Sequence, residues 1–261
     1  MLGQYRNLLH GAFVNSIVTN WVVRRPIAIW AALGVFATRN AWACGVSGPD
    51  GAMSCSLAEH RAGKKLHWQV DVSGSYTSTA LRFSGTNRAE ESRSAIVISI
   101  ARQLSPNLTL ATAIGAAPAG NLKLARGQYE FSPGPVVGAG LSWRVVEGSP
   151  FVLLTSMASY FAARTQLNGT SERALYEAFD LRLGTIVGTT LWDTIRPYAA
   201  ARAFGGPVFW RYDGATVTGT DTHHYQIGAG ILWAVVDRFE LHAEGVPLGE
   251  RAISGGAAIT F

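Results

Sequence analysis

Charge is scarce in this 261-residue chain: Asp, Glu, Lys and Arg make up 15% of it, against about a quarter in ordinary soluble domains. Long apolar runs are missing too. After residue 43 there is no stretch of eighteen apolar residues, which excludes ordinary transmembrane helices from that part. Cysteine is limited to Cys44 and Cys55, so one internal disulfide is the most the chain can form. A basic stripe is also absent. The formal net charge of +5 comes largely from residues 1–43, which hold Arg6, Arg24, Arg25 and Arg39 and no acid; the remainder sets 18 basic against 17 acidic groups. That balance gives no footing for nucleic acid, whose phosphates need a basic surface.

What the chain does have is apolar content of 48%, 29 glycines, 8 tryptophans and 8 tyrosines. Arg24-Arg25 precede a short apolar stretch from Pro26 to Ala37, then Ala41-Trp42-Ala43. A basic start, an apolar core of about a dozen residues and an A-x-A site read as a secretory signal peptide over 1–43. The apolar core is short for a membrane-anchoring helix, the alternative reading. Cleavage after Ala43 makes Cys44 the first mature residue. In an exported chain, Cys44 and Cys55 are expected to close a short disulfide loop. A lipid-modified Cys44 is the alternative, which the bulky Trp42 fits poorly, and free thiols are the third. Residues 44–65, rich in Gly and Ser, read as a periplasmic lead-in.

From residue 66 the pattern turns to period two. Leu66, Trp68, Val70, Val72, Gly74 and Tyr76 alternate with His67, Gln69, Asp71, Ser73 and Ser75. In a strand those sets face opposite ways, one apolar and one polar. The alternation returns through Ile96-Ile98-Ile100, Leu108-Leu110-Ile114, Val137-Leu141-Trp143, Phe179-Leu181-Leu183, Tyr225-Ile227-Ile231-Trp233, Phe239-Leu241 and Ile253-Ile259-Phe261. Near 151–161 both faces are apolar and the phase is open. Near 195–204, Arg196, Tyr198 and Arg202 share one face. Short turns near 105–107, 147–149, 192–193 and 237–238 alternate with longer polar loops near 85–93, 117–134, 163–172 and 205–222, and a shorter one at 247–251. Short turns on one side and long loops on the other are a habit of outer-membrane barrels. Trp68, Trp143, Phe151, Trp192, Trp233, Phe239 and Phe261 fall near the short-turn ends. Tyr76, Phe161, Tyr176 and Tyr225 fall near the other ends. Two aromatic belts are therefore expected at the lipid–water boundaries.

With the signal-like 24–43, the alternating strands and the terminal Phe261, the chain resembles bacterial outer-membrane β-barrels over about residues 66–261. The resemblance implies an all-β, antiparallel up-and-down transmembrane barrel of about ten strands, with eight or twelve as alternatives. It implies a place in the cell outer membrane, contact with its lipid, and Phe261 as the signal read by the barrel assembly machinery. It names an architecture and no activity.

Polar residues on the inward face are the candidates for a site. Glu240, His242 and Glu244 alternate on one strand, with Ser254 brought alongside by the last one. Such a set offers a base and a nucleophile, so Glu240, His242 and Ser254 are the catalytic candidates. The plainer reading is an interior charge network of Arg144, Asp180, Arg182, Arg196, Arg202, Glu240, His242 and Glu244, since small barrels fill their interiors with side chains. Asp221-x-His223 is similar to the Asp–His element of omptin-type outer-membrane proteases, but their second acidic pair, spaced Asp-x-Asp, has no counterpart here. His223 and His224 are adjacent and face opposite ways in a strand, so no metal site is expected. No cofactor is expected either. Gly138, Gly140, Gly228 and Gly230 are read as lumen-facing residues that make room or let strands bend. The aromatics Tyr129, Phe131, Phe209, Trp210 and Tyr212 of the two longest loops point to an extracellular ligand there. The expected function is an integral barrel with a filled or narrow lumen and a structural, adhesive or narrow-pore role. The alternative is a barrel-embedded enzyme acting on lipid or peptide.

Overall fold

The computed structural model describes residues 44–48, 51–55, 68–83, 88–125, 127–168, 173–212 and 214–261. The signal-peptide region 1–43 and residues 56–67 of the lead-in lie outside the described residues. Two short strands, β1 (Cys44–Gly48) and β2 (Gly51–Cys55), form a hairpin with Cys44 opposite Cys55. The lead-in is thus partly β. The thiol groups themselves lie outside the described residues.

Thirteen further segments form one antiparallel sheet: β3 (Trp68–Phe83), β4 (Arg88–Ser105), β5 (Leu108–Leu124), β6 (Gly127–Phe131), β7 (Gly134–Val146), β8 (Phe151–Leu167), β9 (Arg173–Gly188), β10 (Ile195–Gly205), β11 (Val208–Tyr212), β12 (Ala215–Asp221), β13 (Tyr225–Val236), β14 (Phe239–Gly249) and β15 (Arg251–Thr260). Three pairs run on after brief interruptions. β6 and β7 both pair with β5 and β8, β10 and β11 both pair with β9, and β12 and β13 follow β11 and β10. The described residues therefore trace ten strands, and the last pairs with the first, Ile259 opposite Val70. The sheet is a closed barrel without a free edge, as lipid requires of a spanning sheet.

The alternation sets the two faces. Val72, Ile98, Ile114, Leu141, Leu183, Ile227, Ile231 and Ile259 are exposed on the outside. Gln69, Asp71, Arg144, Arg182, Arg202, Gln226 and Glu240 are buried inside. Trp68, Trp143, Trp192, Trp233 and Phe261 ring the short-turn end on the outside, while Tyr76, Phe179 and Tyr225 mark the other. From Trp68 to Tyr76 is nine residues, within the ~9–11 that a tilted strand needs to cross a bilayer. Phe151, Phe161 and Tyr176 do not join these belts; all three point inward and are buried. Their strands settle into the phase that buries Phe151, Leu153, Thr155, Met157 and Phe161 together, a choice that apolar residues on both faces of 151–161 left open.

The long loops expected at 117–134 and 205–222 are mostly β structure. β5 continues to Leu124 and turns back as β6; β11 and β12 form a second hairpin. Their polar residues lie past the lipid, where an outward-facing polar side chain is normal for a strand. The β14–β15 hairpin instead ends early, turning at Gly249 with φ +85, where any Cβ would lie 1.7 Å from the Tyr225 carbonyl oxygen. Beyond that turn β12 pairs directly with β3, Gly219 opposite Phe83 and Asp221 opposite Leu81. The outer end is thus a ring of β3, β4, β5, β6, β8, β9, β11 and β12. The wall narrows from ten strands in the membrane to eight above it.

Candidate functional site

Barrel diameter grows roughly in proportion to strand number, and eight strands leave an interior just wide enough for side chains. Inside the eight-strand collar those side chains are apolar. Leu81, Phe83, Leu122, Tyr129, Phe131, Phe161, Tyr176 and Trp210 are all buried in one cluster. Tyr129 meets Trp210 edge-on with centroids 4.9 Å apart, and Phe131 lies 4.9 Å from Tyr176. Polar atoms on these rings are partnered inside the collar: Trp210 Nε1 donates to Thr165 Oγ1 at 2.9 Å, and Tyr176 donates its hydroxyl to Glu91. Tyr129, Phe131 and Trp210, read from sequence as ligand-facing loop residues, therefore face the lumen. The polar loop-like context hid their inward phase. Phe209 points the other way, against Phe179.

Below the collar the lumen is charged. Arg202 reaches Glu244 through two bonds of 2.6 and 2.7 Å, and Tyr198 donates to the same carboxylate at 2.9 Å. Tyr198 sits opposite Gly230, where a Cβ would come within 2.4 Å of its ring and hydroxyl. Arg182 pairs with Asp180 on its own strand and with Glu250 at 2.8 Å, and Gln226 donates to Glu250 as well. Glu250 was missed by sequence reasoning because it falls in a short polar turn. The φ of Gly249 swings the next residue inward instead. At the foot of the collar, on β12, Asp221 accepts a bond from Thr79 at 3.1 Å. This carboxyl is pushed up to about 7, first by burial and then by the nearby Glu250 and Asp180.

Toward the membrane's inner side, Gln69 donates to Glu240 at 3.4 Å, and His242 Nδ1 lies 3.4 Å from Asp71. The imidazole reaches across Gly256, which faces it in the ladder and whose missing side chain leaves the space. Ser254 is buried opposite Glu244, two residues along from Gly256. Arg144 donates to the Pro106 carbonyl at 3.3 Å in the β4–β5 turn, and Arg196 is buried near the same end. Of the predicted site residues, Arg182 thus meets Asp180 and Arg202 meets Glu244, while Glu240 takes Gln69 and His242 lies against Asp71. The Asp221–His223 element is not brought together. Asp221 turns inward, whereas His223 is exposed, edge-on to Tyr225. Among the described residues no group of His, Cys, Asp and Glu could hold a metal ion.

Ten antiparallel strands closed on themselves, apolar outside, ringed by aromatics near both ends and polar within, give this chain the architecture of a transmembrane β-barrel. No family model and no curated protein matches it. Solved structures similar to it include the outer membrane protease OmpT from Escherichia coli, 8% identical, covering 77% of this chain and 98% of that one with a TM-score of 0.48. The translocator domain of the autotransporter NalP from Neisseria meningitidis is 10% identical over 77% of this chain and 89% of its own, with a TM-score of 0.44. The attachment invasion locus protein Ail of Yersinia pestis is 10% identical over 74% of this chain and 99% of its own, with a TM-score of 0.30.

Proposed function

We propose that this barrel has a closed lumen and serves a structural or adhesive role at the cell surface. The observation that carries the reading is the change from ten strands to eight with a packed aromatic interior at the narrowed end. A solute path would have to pass Tyr129, Phe131, Tyr176 and Trp210, which are buried against one another. Beneath them, the Arg182–Glu250 and Arg202–Glu244 pairs join strands that are not neighbours and occupy the space a pore would need. The collar also holds its hairpins away from the lipid, as a surface meant for contact requires.

Single-channel recording in planar bilayers tests this directly. The wild-type protein is expected to give no conductance steps, and Phe131→Ala with Trp210→Ala, which hollows the collar, is expected to give them. Steady ion conduction by the wild type overturns the reading. The proposal includes export with loss of residues 1–43 and a Cys44–Cys55 disulfide. Purified protein should begin at Cys44 and resist thiol alkylation until reduced. A second reading, an enzyme acting on lipid or peptide, draws on the approach of His242 to Asp71, with Ser254 two residues along from the Gly256 that faces the imidazole. Loss of any measured hydrolysis in His242→Ala would support it.

A further inference from the structure

We propose that the notch where the wall drops from ten strands to eight binds the phosphorylated headgroup of an outer-leaflet lipid. The β14–β15 hairpin stops at Gly249 while β3 and β12 continue, so the outer surface steps back above it. The step leaves an open groove of about 630 Å³ between Ser78 and Ala80 on one side and His223 and Tyr225 on another, with Pro247 and Leu248 at the hairpin tip. Its height is set by register. Arg251 pairs with Ser78 and Ile253 with Tyr76, so the groove opens one step outward of the aromatic belt, at the level of lipid headgroups.

Its charge asks for an anion. Arg88, Lys123 and Arg251 line the groove, and Arg82 lies directly opposite Arg88 in the β3–β4 ladder. All four are exposed, and none makes an ion pair among the described residues. Like charges placed opposite each other destabilise a strand pair; an anion held between them reverses the sign. The one acid in the groove, Glu90, stands opposite Lys123 in the β4–β5 ladder and accepts a bond from Ser78 at 3.4 Å, which leaves Arg82, Arg88 and Arg251 in excess. Arginine's fork suits phosphate oxygens. The apolar part of the groove selects among phosphate sources. Exposed Leu248 and Tyr225 continue downward into the lipid-facing Ile227 and Ile253, a path for an acyl chain below a headgroup that a soluble anion would leave unused.

The test uses the full-length protein folded in phosphatidylcholine nanodiscs, with binding of diphosphoryl lipid A read by native mass spectrometry. Arg88→Gln/Lys123→Gln/Arg251→Gln is expected to weaken retention about a hundredfold. Arg164→Gln/Arg173→Gln/Arg211→Gln, which removes as many cations from the same rim away from the groove, is expected to bind like the wild type. Dephosphorylated lipid A should bind far more weakly, and inorganic phosphate should fail to displace the intact lipid. Equal binding by the two triple variants overturns the proposal. So does equal retention of the dephosphorylated lipid, or displacement by inorganic phosphate at matched concentration. Should the groove variant not fold, Lys123→Gln/Arg251→Gln carries the same comparison with a loss of about twentyfold.

Discussion

Arg202 and Glu244 meet inside the barrel with side chains 2% and 1% exposed, and this pair measures how dry the lumen is. Arg202→Met leaves the Glu244 carboxylate with Tyr198 as its remaining partner from this group; Glu244→Leu leaves a buried guanidinium facing an apolar side chain. Removing one member of a buried pair costs roughly 3–5 kcal/mol, because the other charge stays desolvated. Replacing both members by apolar groups, as in Arg202→Met/Glu244→Leu, is expected to cost less than either single change, since well-packed substitutes for a buried pair are often neutral. The assay is urea unfolding of protein folded into lipid vesicles, followed by the fluorescence of Trp68, Trp143, Trp192, Trp210 and Trp233. A coupling of several kcal/mol across the double-mutant cycle is the expected result. If each single variant costs less than about 1 kcal/mol and the two costs simply add, the pair behaves as exposed ion pairs do. The lumen is then hydrated and the closed-barrel argument fails.

Three further outcomes are expected. Ile231, exposed on the lipid face, should cost roughly 2–4 kcal/mol when changed to Arg near mid-bilayer; a wild-type unfolding midpoint for Ile231→Arg in the same assay would show that this face does not meet lipid. Asp221 holds its proton to about pH 7 in the folded state, against 3.8 for an ordinary aspartate. The folded state therefore binds more protons than the unfolded one across that window, and stability falls as pH rises through it. Asp221→Asn should flatten this slope and be more stable than wild type at pH 8; an unchanged slope refutes the assignment. Phe261 exchanges backbone bonds with Trp68, donating its N–H at 2.8 Å, and leaves its ring exposed. Phe261→Asp should lower the amount of heat-modifiable barrel in outer-membrane fractions, and wild-type levels would remove its role in assembly.

The two-residue periodicity was enough to place most of the wall. A strand has only two faces, so Leu66–Tyr76, 137–145, 225–235 and 253–261 each declare which side meets lipid, and the even count near ten follows from the turns between them. The inward direction of Arg182, Arg202, Glu240 and Glu244 was legible for the same reason. Periodicity says nothing where both faces are apolar, and so Phe151 and Phe161 were assigned to the belts instead of the lumen; Tyr176 was assigned there too. It is also silent on which inward residues meet, because partners such as Arg182 and Glu250, or His242 and Asp71, lie on strands separated by others. Their meeting depends on how the closed ring staggers its strands and on glycines such as Gly230 and Gly256 that leave space across the lumen. The collar was the least visible feature. Polar sequence beyond the lipid reads as loop, because a strand there has no apolar outer face to mark it. Only the early stop of β14 and β15, and the β12–β3 pairing above them, reduce the ring to eight strands and turn Tyr129, Phe131 and Trp210 into its core.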